Sequence, residues 1–319
     1  MSSTAKFTNI TDVNNLNAWI EEARYLKRNP HIFKKVGAGK CIGLVFFNPS
    51  LRTRMSSQRA AQLLGMDTIV LNVGSDGWNL EMSDGAVMDQ GAQEHIKDAI
   101  QVMSQYCDLL AVRAFADLKN REEDYSERIL NDFIKYSEVP VISLESATGH
   151  PLQAFADMIT IEEQRAEGRR PKVVLTWAPH PRALPQAVAN SFVEWVKASD
   201  ADLVITNPEG YDLAKEVTEG VKVEYDQDKA FADADFIYAK NWSSYEEYGK
   251  ILSTDSAWQV TSEKMALTNN AKFMHCLPIR RNVVASDEVI DNSIVIKQAE
   301  NRLFAAAVAF KKVLEQIEK

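Results

Sequence analysis

The sequence has 319 residues, of which 45% are hydrophobic and 25% charged, and its formal net charge is −9. These values indicate a globular protein with two domains of ~150 residues and argue against a nucleic-acid partner, and no apolar run approaches the ~20 residues that a membrane span needs. The three cysteines are far apart and odd in number, and the N-terminus lacks the hydrophobic stretch of a signal peptide, so we expect a cytoplasmic protein. The five histidines show no metal-ligand spacing with the cysteines, so we expect no structural zinc.

The first half of the chain alternates hydrophobic runs of strand length with helical patterns. Strands are predicted at 41–47, 67–73, 109–113 and 139–144, and helices at 55–64, 94–106 and 123–136. A loop rich in Gly, Ser and Asp is predicted from 74 to about 85. This alternation favours a parallel sheet with helices on both faces.

The second half repeats the alternation after a long helix predicted at 150–168. Further strands are predicted at 173–177, 202–206, 235–239, 272–276 and 293–296, followed by a helix from about 301. We therefore predict an α/β fold with two doubly wound parallel-sheet domains.

Polar and charged side chains follow the predicted strands. Residues 50–54 come after the first strand, Arg113 ends another, and Glu145 and His150 follow a third. In the second half, residues 176–182, Lys240 and 276–281 are placed in the same way. Ligands of such sheets bind at the carboxyl ends of the strands, so these segments are the candidate site.

The segment 50–54 joins a predicted strand to a predicted helix. A helix start offers unpaired N–H groups and the positive end of the dipole, and Arg52, Ser50 and Thr53 add donors suited to a phosphate. The alternative is that Ser50 is only an N-cap followed by a solvated basic turn. Two arginines in a first turn oppose the dipole unless an anion is present, which favours a phosphate site.

Three segments resemble the carbamoyltransferase family in order and spacing: 47–54 (FNPSLRTR), 150–153 (HPLQ) and 275–278 (HCLP). Segments 176–181 (TWAPHP), 238–242 (YAKNW) and 278–282 (PIRRN) resemble the branch that acts on N-acylated ornithine. The Ser-Met-Gly signature of ordinary ornithine carbamoyltransferases is missing, which argues against free ornithine.

The resemblance implies transfer of a carbamoyl group from carbamoyl phosphate to the δ-amine of an acylated ornithine in arginine biosynthesis, with neither cofactor nor metal. It implies a carbamoyl phosphate domain of residues 1–148, with the C-terminal helix 300–319 packing back on it, and an acylornithine domain of residues 149–299. It also implies a homotrimer in which Trp78 reaches a neighbouring active site, and Gln93 is a further candidate for that role.

The resemblance also implies roles for individual residues. The carbamoyl phosphate set is Ser50, Leu51, Arg52, Thr53, Trp78, Arg113, His150, Pro151, Leu152, Gln153, Cys276, Leu277 and Arg302. Its expected catalytic members are Arg52, Thr53, Arg113 and His150. Gln153 and the backbone carbonyls of Cys276 and Leu277 would hold the carbamoyl amino group. The acylated ornithine would be bound by Glu145, His180, Lys240, Arg280 and Gln93.

Two positions bear on the acyl group. The acetyl branch has a lysine where this sequence has Val284, and a glutamate where it has Gln93; the succinyl branch has proline at the latter position. A glutamate would repel the extra carboxylate of a succinyl group, whereas Gln93 would not. These positions favour N-succinylornithine, and N-acetylornithine stays open because Gln93 matches neither branch.

Other classes of protein are disfavoured. A nicotinamide-dependent enzyme would need a glycine fingerprint directly after a strand, and the sequence has none there. A non-catalytic, metabolite-sensing homologue would predict damage to the phosphate residues, and no damage is visible. Ordinary ornithine carbamoylation remains a further alternative.

Overall fold

Two five-stranded parallel sheets organise the computed structural model, which describes residues 5–89 and 91–317. A two-stranded parallel sheet accompanies them. The strands are β1 (Lys6–Phe7), β2 (Cys41–Phe46), β3 (Asp67–Asn72), β4 (Leu80–Glu81), β5 (Glu94–His95), β6 (Leu109–Arg113), β7 (Val141–Glu145), β8 (Lys172–Trp177), β9 (Asp202–Thr206), β10 (Lys222–Glu224), β11 (Phe236–Lys240) and β12 (Lys272–Met274).

Helices alternate with these strands along the chain. They are α1 (Leu16–Arg28), α2 (Arg52–Leu64), α3 (Ile96–Tyr106), α4 (Arg121–Tyr125), α5 (Arg128–Tyr136), α6 (Pro151–Gln164), α7 (Ala187–Lys197), α8 (Lys215–Thr218), α9 (Gln227–Phe231), α10 (Ser262–Met265), α11 (Asp287–Asp291) and α12 (Val295–Ile317). Within residues 5–89 and 91–317, no helix combines the length and apolar character that a membrane crossing requires.

The chain forms two compact units. The first contains the described residues up to Ala116, Tyr125–Leu152 and the part of α12 from Arg302 onward, and the second contains Asp117–Asp124 and Gln153–Asn301. Asp117–Asp124, predicted in the first domain, belongs to the second unit. The Tyr248 hydroxyl donates to Asp124 at 2.8 Å, and Arg121 donates to the Tyr245 carbonyl oxygen at 3.0 Å.

The first unit contains the sheet β1-β7-β6-β2-β3. Strands β2, β6 and β7 are almost entirely buried, as expected of central parallel strands covered on both faces. Their register sets Phe46 opposite Arg113 and Arg113 opposite Glu145, with an irregularity between Val112 and Arg113. The carboxyl ends of these three strands therefore lie side by side.

The second unit contains the sheet β10-β9-β8-β11-β12. Its core includes large aromatic side chains: Trp177 packs against Tyr211 with ring centroids 4.7 Å apart, and Phe155 stacks on Trp195 at 5.6 Å. Trp177 lies opposite Lys240 in the register of β8 and β11. The ends of these two strands thus share one edge of the sheet.

The predicted strand at 293–296 is wrong. Helix α12 begins at Val295, and the fifth strand of the second sheet is the short β10 instead. Ile294 and Val295 are buried but Ile296 is 72% exposed, so the hydrophobic run has one helical face toward the core and is not a strand buried on both sides.

Two predicted helices differ from those in the structure. The predicted helix at 123–136 is two helices, because Glu127 has a φ of 52° and interrupts the chain between α4 and α5. The predicted helix at 150–168 is α6, which ends at Gln164, and Gly168 lies beyond it with a φ of 69°.

Candidate active site

The junction between β2 and α2 exposes the start of a helix. The N-cap position is Leu51, and within the described chain no side chain forms a capping hydrogen bond there. The alternative role of Ser50 as a simple N-cap is therefore wrong. A cavity of about 540 Å³ adjoins this junction, and it is lined by 46–51, Arg54, Asn72, Val73 and Ser75. The N–H groups of the first turn and the positive dipole end are available to an anion.

Arg113 is buried and held from several sides. The residue is 6% exposed, and its Nε donates to the Glu145 carboxylate at 3.1 Å. Nη1 donates to the carbonyl oxygens of Asn48 and Pro49 at 2.9 and 2.8 Å, and the guanidinium lies 4.0 Å from the centroid of Phe115. In the part of the chain that the structure describes, Nη2 makes no hydrogen bond. Arg113 is thus a pre-oriented cation with one nitrogen left for a ligand.

Glu145 joins Arg113 to His150. Its carboxylate oxygen lies 3.5 Å from His150 Nε2 as well as 3.1 Å from Arg113 Nε, and both Glu145 and His150 are buried. Glu145 is one of the residues predicted to bind the acylated ornithine. The structure places it beside two residues of the carbamoyl phosphate set, within the first unit. Pro151 and Leu152 follow His150 as the first residues of α6, where proline suits the first helical turn.

Arg302 and Thr53 are brought together from positions 249 residues apart. Arg302 Nη2 donates to Thr53 Oγ1 at 2.7 Å, and the two residues are 4% and 2% exposed. Arg52 stands one residue before Thr53 and is half-buried. The first unit therefore gathers Arg302 with the first turn of α2.

Glu127 is a residue that sequence reasoning missed. Its carboxylate accepts hydrogen bonds from the Ser146 hydroxyl at 2.6 Å and from the backbone N–H groups of Thr148 at 2.8 Å and Ala147 at 3.3 Å. These contacts hold the loop that precedes His150. No signal pointed to this role, because an acidic residue inside a predicted surface helix is ordinarily solvated.

The candidate acylornithine residues of the second unit are Lys240, Arg280 and His180, and the charges of the first two act on the imidazole of the third. Lys240 is 7% exposed and its Nζ donates to the Asn241 carbonyl oxygen at 2.8 Å. Arg280 is exposed, and its Nε donates to His180 Nε2 at 3.1 Å. The accepted bond places the imidazole proton on Nδ1, which donates to the Arg182 carbonyl oxygen at 2.8 Å.

The His180 imidazole is held neutral. Burial lowers its pKa below the ordinary value of 6.5, the hydrogen bond to Arg182 opposes that shift, and the charges of Arg280 and Lys240 lower the pKa further. His180 therefore acts as a hydrogen-bond acceptor for Arg280 at neutral pH. This arrangement leaves Nη1 and Nη2 of the Arg280 guanidinium for a carboxylate ligand.

The remaining predicted carbamoyl phosphate residues of the second unit lie on α6 and in the turn after β12. Gln153 is 1% exposed and donates to Asp157 at 2.7 Å. Cys276 and Leu277 are half-buried, and Leu277 has a φ of 56°. Asp157 was missed, although its position four residues after Gln153 on a helix could have indicated the contact.

Val284, at the position where a lysine is expected for the acetyl branch, is part of a hydrophobic core. It is 2% exposed and belongs to a cluster with Val260, Phe273 and Ala285. A lysine here would have to bury its ammonium group, which is costly without a partner. The surroundings of Val284 thus suit an apolar side chain.

Trp78 and Gln93 lie on the surface of the first unit. Trp78 is 52% exposed and its indole N–H donates to Glu94 at 2.9 Å, while Gln93 is exposed and directly precedes Glu94. The structure thus brings the two candidate intersubunit residues close through Glu94. Within the described residues, no group of three or more His, Cys, Asp or Glu side chains is arranged to hold a metal ion.

Comparison with known proteins decides the family. The model of the aspartate/ornithine carbamoyltransferase carbamoyl-P binding domain matches residues 6–163, and the model of the Asp/Orn binding domain matches residues 185–311. The chain belongs to the aspartate/ornithine carbamoyltransferase family. It is therefore a carbamoyltransferase, and the resemblance stated from the sequence motifs is confirmed.

Curated members of the family match the chain over nearly its full length. N-succinylornithine carbamoyltransferase of Bacteroides thetaiotaomicron is 52% identical, with 98% of this chain and 99% of that protein covered. N-acetylornithine carbamoyltransferase of Xanthomonas campestris is 40% identical, with 90% and 91% covered.

Solved structures of N-acetyl-L-ornithine transcarbamylase share the fold. A variant with a glutamate replaced by alanine, complexed with carbamyl phosphate and N-succinyl-L-norvaline, has a TM-score of 0.91 at 37% identity, with 97% of this chain and 99% of that chain covered. A complex with acetylcitrulline has a TM-score of 0.90 at 37% identity, with 97% and 98% covered. The predicted fold of two doubly wound α/β domains is confirmed, and α12 packs back on the first unit from Arg302 onward.

Proposed function

We propose that the enzyme transfers the carbamoyl group of carbamoyl phosphate to the δ-amine of N2-succinyl-L-ornithine, giving N-succinyl-L-citrulline and phosphate, in arginine biosynthesis. The observation that carries the proposal is the buried cluster of Arg113, Glu145 and His150 at the carboxyl edge of the first sheet. The Arg302–Thr53 contact adds a second fixed donor group in the same unit.

The first unit supplies the groups that hold carbamoyl phosphate. The backbone of Ser50 and Leu51 and the first turn of α2 bind the phosphate, and Arg52, Thr53 and Arg302 add donors to its oxygens. Arg113 uses its remaining nitrogen toward the phosphate and the carbonyl oxygen, and His150 donates to that carbonyl oxygen. Glu145 keeps Arg113 and His150 in place through its carboxylate.

The reaction forms a bond between the δ-nitrogen and the carbonyl carbon and breaks the bond from that carbon to the phosphate oxygen. Negative charge grows on the carbonyl oxygen and the departing phosphate, and each pre-oriented donor contributes about 3 kcal/mol to stabilising it. Holding the two substrates in place supplies much of the remaining acceleration. The amine attacks unprotonated, and a phosphate oxygen of the leaving group takes the proton that the new bond releases.

The second unit supplies the groups for the acylated ornithine and the carbamoyl amino group. Acylation removes the positive charge of the α-amine, so cations suit the ligand better than carboxylates do. Lys240 and Arg280 bind the α-carboxylate and the succinyl carboxylate, with Arg280 oriented by neutral His180. Gln153 and the carbonyls of Cys276 and Leu277 accept hydrogen bonds from the carbamoyl amino group.

Several observations support succinyl over acetyl. Gln93 is neutral and exposed, and Val284 is packed in an apolar core where the acetyl branch has lysine. The 52% identical relatives from Bacteroides bear the name N-succinylornithine carbamoyltransferase. Variants of N-acetyl-L-ornithine transcarbamylase in which a glutamate is replaced by proline or valine are complexed with N-succinyl-L-norvaline, which fits the view that a glutamate opposes the succinyl group.

We also propose a cytoplasmic homotrimer in which Trp78, and with it Gln93, reaches the active site of a neighbouring subunit. The exposure of Trp78 supports this assembly, because a large indole that is half exposed is available to a partner. Mixing a Trp78→Ala variant with an Arg302→Met variant should restore part of the activity that each lacks alone. Mixed samples without recovered activity, despite subunit exchange shown by mass spectrometry, would contradict a shared site.

The decisive experiment offers purified protein carbamoyl phosphate with ornithine, N-acetylornithine or N-succinylornithine in parallel and scores the ureido product. We expect the highest kcat/KM with N-succinylornithine. A preference for N-acetylornithine or for free ornithine would replace the proposed acceptor and leave carbamoyl transfer intact. An absence of product with all three amines would contradict the reaction itself.

A further inference from the structure

Asp157 connects two glutamines in the second unit. It lies on α6, is fully buried, and its Oδ1 accepts hydrogen bonds from Gln153 Nε2 and Gln298 Nε2, both at 2.7 Å. Because this carboxylate oxygen acts as the acceptor in both contacts, each glutamine turns its NH₂ group toward Asp157. The amide oxygens of Gln153 and Gln298 consequently point away from the carboxylate.

Gln298, held by Asp157, in turn contacts the backbone of the turn after β12. Gln298 Oε1 accepts the backbone N–H of His275 at 2.9 Å, and His275 Nδ1 in turn accepts the backbone N–H of Leu277 at 2.8 Å. One carboxylate thus positions both the Gln153 amide and the segment that bears the Cys276 and Leu277 carbonyls. Under the proposed function, these are the groups that accept the two hydrogens of the carbamoyl amino group.

Tyr238 lies beside this arrangement and is fully buried. Burial raises the pKa of its hydroxyl well above the ordinary value, and the neighbouring Asp157 and Cys276 raise it further. The phenol therefore stays protonated and adds no second negative charge next to Asp157. Asp157 Oδ1 is thus the shared acceptor of the Gln153 and Gln298 amides, and Gln298 extends the network to His275.

We propose that Asp157 is a positioning residue that determines specificity for the phosphate substrate. By orienting Gln153 and the turn after β12, it ensures that only hydrogen-bond acceptors face the amino group of carbamoyl phosphate, so that the enzyme selects carbamoyl phosphate over acetyl phosphate. This inference rests on the proposed function. Acetyl phosphate is nearly the same size but carries a methyl group in place of NH₂. It would leave the Gln153 oxygen and the two carbonyls without donors, and sites that hydrogen-bond a ligand group reject analogues that lack it.

The substitution Asp157→Asn keeps the size of the side chain and removes its acceptor-only character. The new amide can donate to Gln153 Oε1, and this contact turns the NH₂ group of Gln153 toward the amino group of carbamoyl phosphate. Two N–H groups would then face each other, and carbamoyl phosphate would lose its advantage over the methyl analogue. A residue that only supports the fold would weaken both ligands alike.

The test measures KM for carbamoyl phosphate and the competitive inhibition constant of acetyl phosphate in the wild type and the variants. We expect Asp157→Asn to reduce the ratio of inhibition constant to KM by about 10-fold or more, as for the loss of a buried hydrogen bond. The matched control is Asp235→Asn, the same change in a carboxylate that accepts from the Lys172 N–H and the Asn269 amide near the amino ends of β8 and β11. It should keep the wild-type ratio.

A second variant keeps the inference testable if Asp157→Asn does not fold. Gln298→Met removes the link to His275 but leaves the Gln153–Asp157 contact. It should therefore lower the ratio of inhibition constant to KM by a smaller factor than Asp157→Asn does. An unchanged ratio in a folded Asp157→Asn enzyme, or equal weakening of both ligands, would overturn the inference. Wild-type enzyme without carbamoyl transfer would instead overturn the proposed function.

Discussion

The carboxyl edge of the first sheet and the loops that carry His180 and Arg280 in the second unit are built in contrasting ways. At the first, Arg113, Glu145 and His150 are all less than 10% exposed and are linked side chain to side chain. At the second, Arg280 is exposed and is oriented by one hydrogen bond to half-buried His180.

This contrast separates two tasks. Buried, mutually bonded donors lose little freedom when a ligand arrives, so they suit the stabilisation of charge that develops during the reaction. An exposed arginine must lose side-chain entropy on binding and is easily replaced, so it suits recognition of a variable acyl group. We expect changes at the first sheet to lower kcat and changes around Arg280 and Gln93 to alter KM and substrate preference.

The largest expected effect comes from Arg113→Met. This variant removes a donor to the developing charge, so kcat should fall by about 10³-fold. It also leaves the Glu145 carboxylate buried without its guanidinium, which should lower the free energy of unfolding by about 3–5 kcal/mol. Steady-state kinetics and urea unfolding measure the two effects. The control is Lys119→Met, which breaks an exposed ion pair with Asp117. A kcat within 3-fold of wild type for Arg113→Met would contradict the assignment of charge stabilisation to the edge of the first sheet.

Glu145→Gln sharpens the comparison, because the sequence assigned this residue to the acylated ornithine and the structure places it with Arg113. If the carboxylate positions Arg113 and His150, kcat should fall by about 10- to 100-fold while KM for the acylated ornithine stays nearly constant. Initial-rate kinetics with both substrates varied give the two constants. A selective rise in the acylornithine KM, with kcat retained, would instead return Glu145 to its predicted role.

Gln93→Glu should shift preference toward the acetyl substrate. A carboxylate near the succinyl group repels it by about 1 kcal/mol or more, so the ratio of kcat/KM values for the succinyl and acetyl substrates should fall by about 5- to 10-fold. Gln101→Glu makes the same change on the exposed face of α3 and should keep the ratio. Full succinyl activity in Gln93→Glu would mean that Gln93 is not the selector.

The smallest effect is a pH dependence of acylornithine binding. Since burial lowers the pKa of His180 below 6.5, the imidazole is neutral above that pH and accepts from Arg280. Protonation at lower pH breaks this hydrogen bond and sets a second cation against Arg280, which displaces Arg280 from its binding orientation, so KM should rise by about 3- to 5-fold between pH 7 and pH 5.5. His180→Gln, which retains an acceptor that does not titrate, should flatten the profile, and exposed His31→Gln should not.

The same pKa shift has a consequence for stability. The unfolded chain takes up the His180 proton near pH 6.5, whereas the folded protein resists protonation until a lower pH. The unfolded state therefore binds more protons just below pH 6.5, and the free energy of unfolding falls as the pH is lowered through that window. Comparing urea midpoints of wild type and His180→Gln at pH 5.5 and 7.5 measures this contribution, and an identical pH dependence of both proteins would contradict it.

Much of the fold could be predicted because local patterns report burial directly. The runs at β2, β6, β8 and β11 are hydrophobic over strand length, and the polar residues that follow them mark one edge of each sheet. The run at 293–296 misled for the same reason: its β-branched residues look like a strand, and only the exposure of Ile296 shows that one helical face is buried. Helical and extended burial of four residues cannot be distinguished by composition.

By itself, the sequence determined the family, the class of reaction and the candidate residues, because motifs such as 47–54 and 150–153 join residue type to spacing within one strand–helix junction. Only the tertiary structure decided which residues lie in contact. Arg302 meets Thr53 across 249 positions, and Gln298 meets Asp157 across 141. Such partners depend on how strands and helices pack, and side-chain contacts between distant segments leave no periodic signal in the chain.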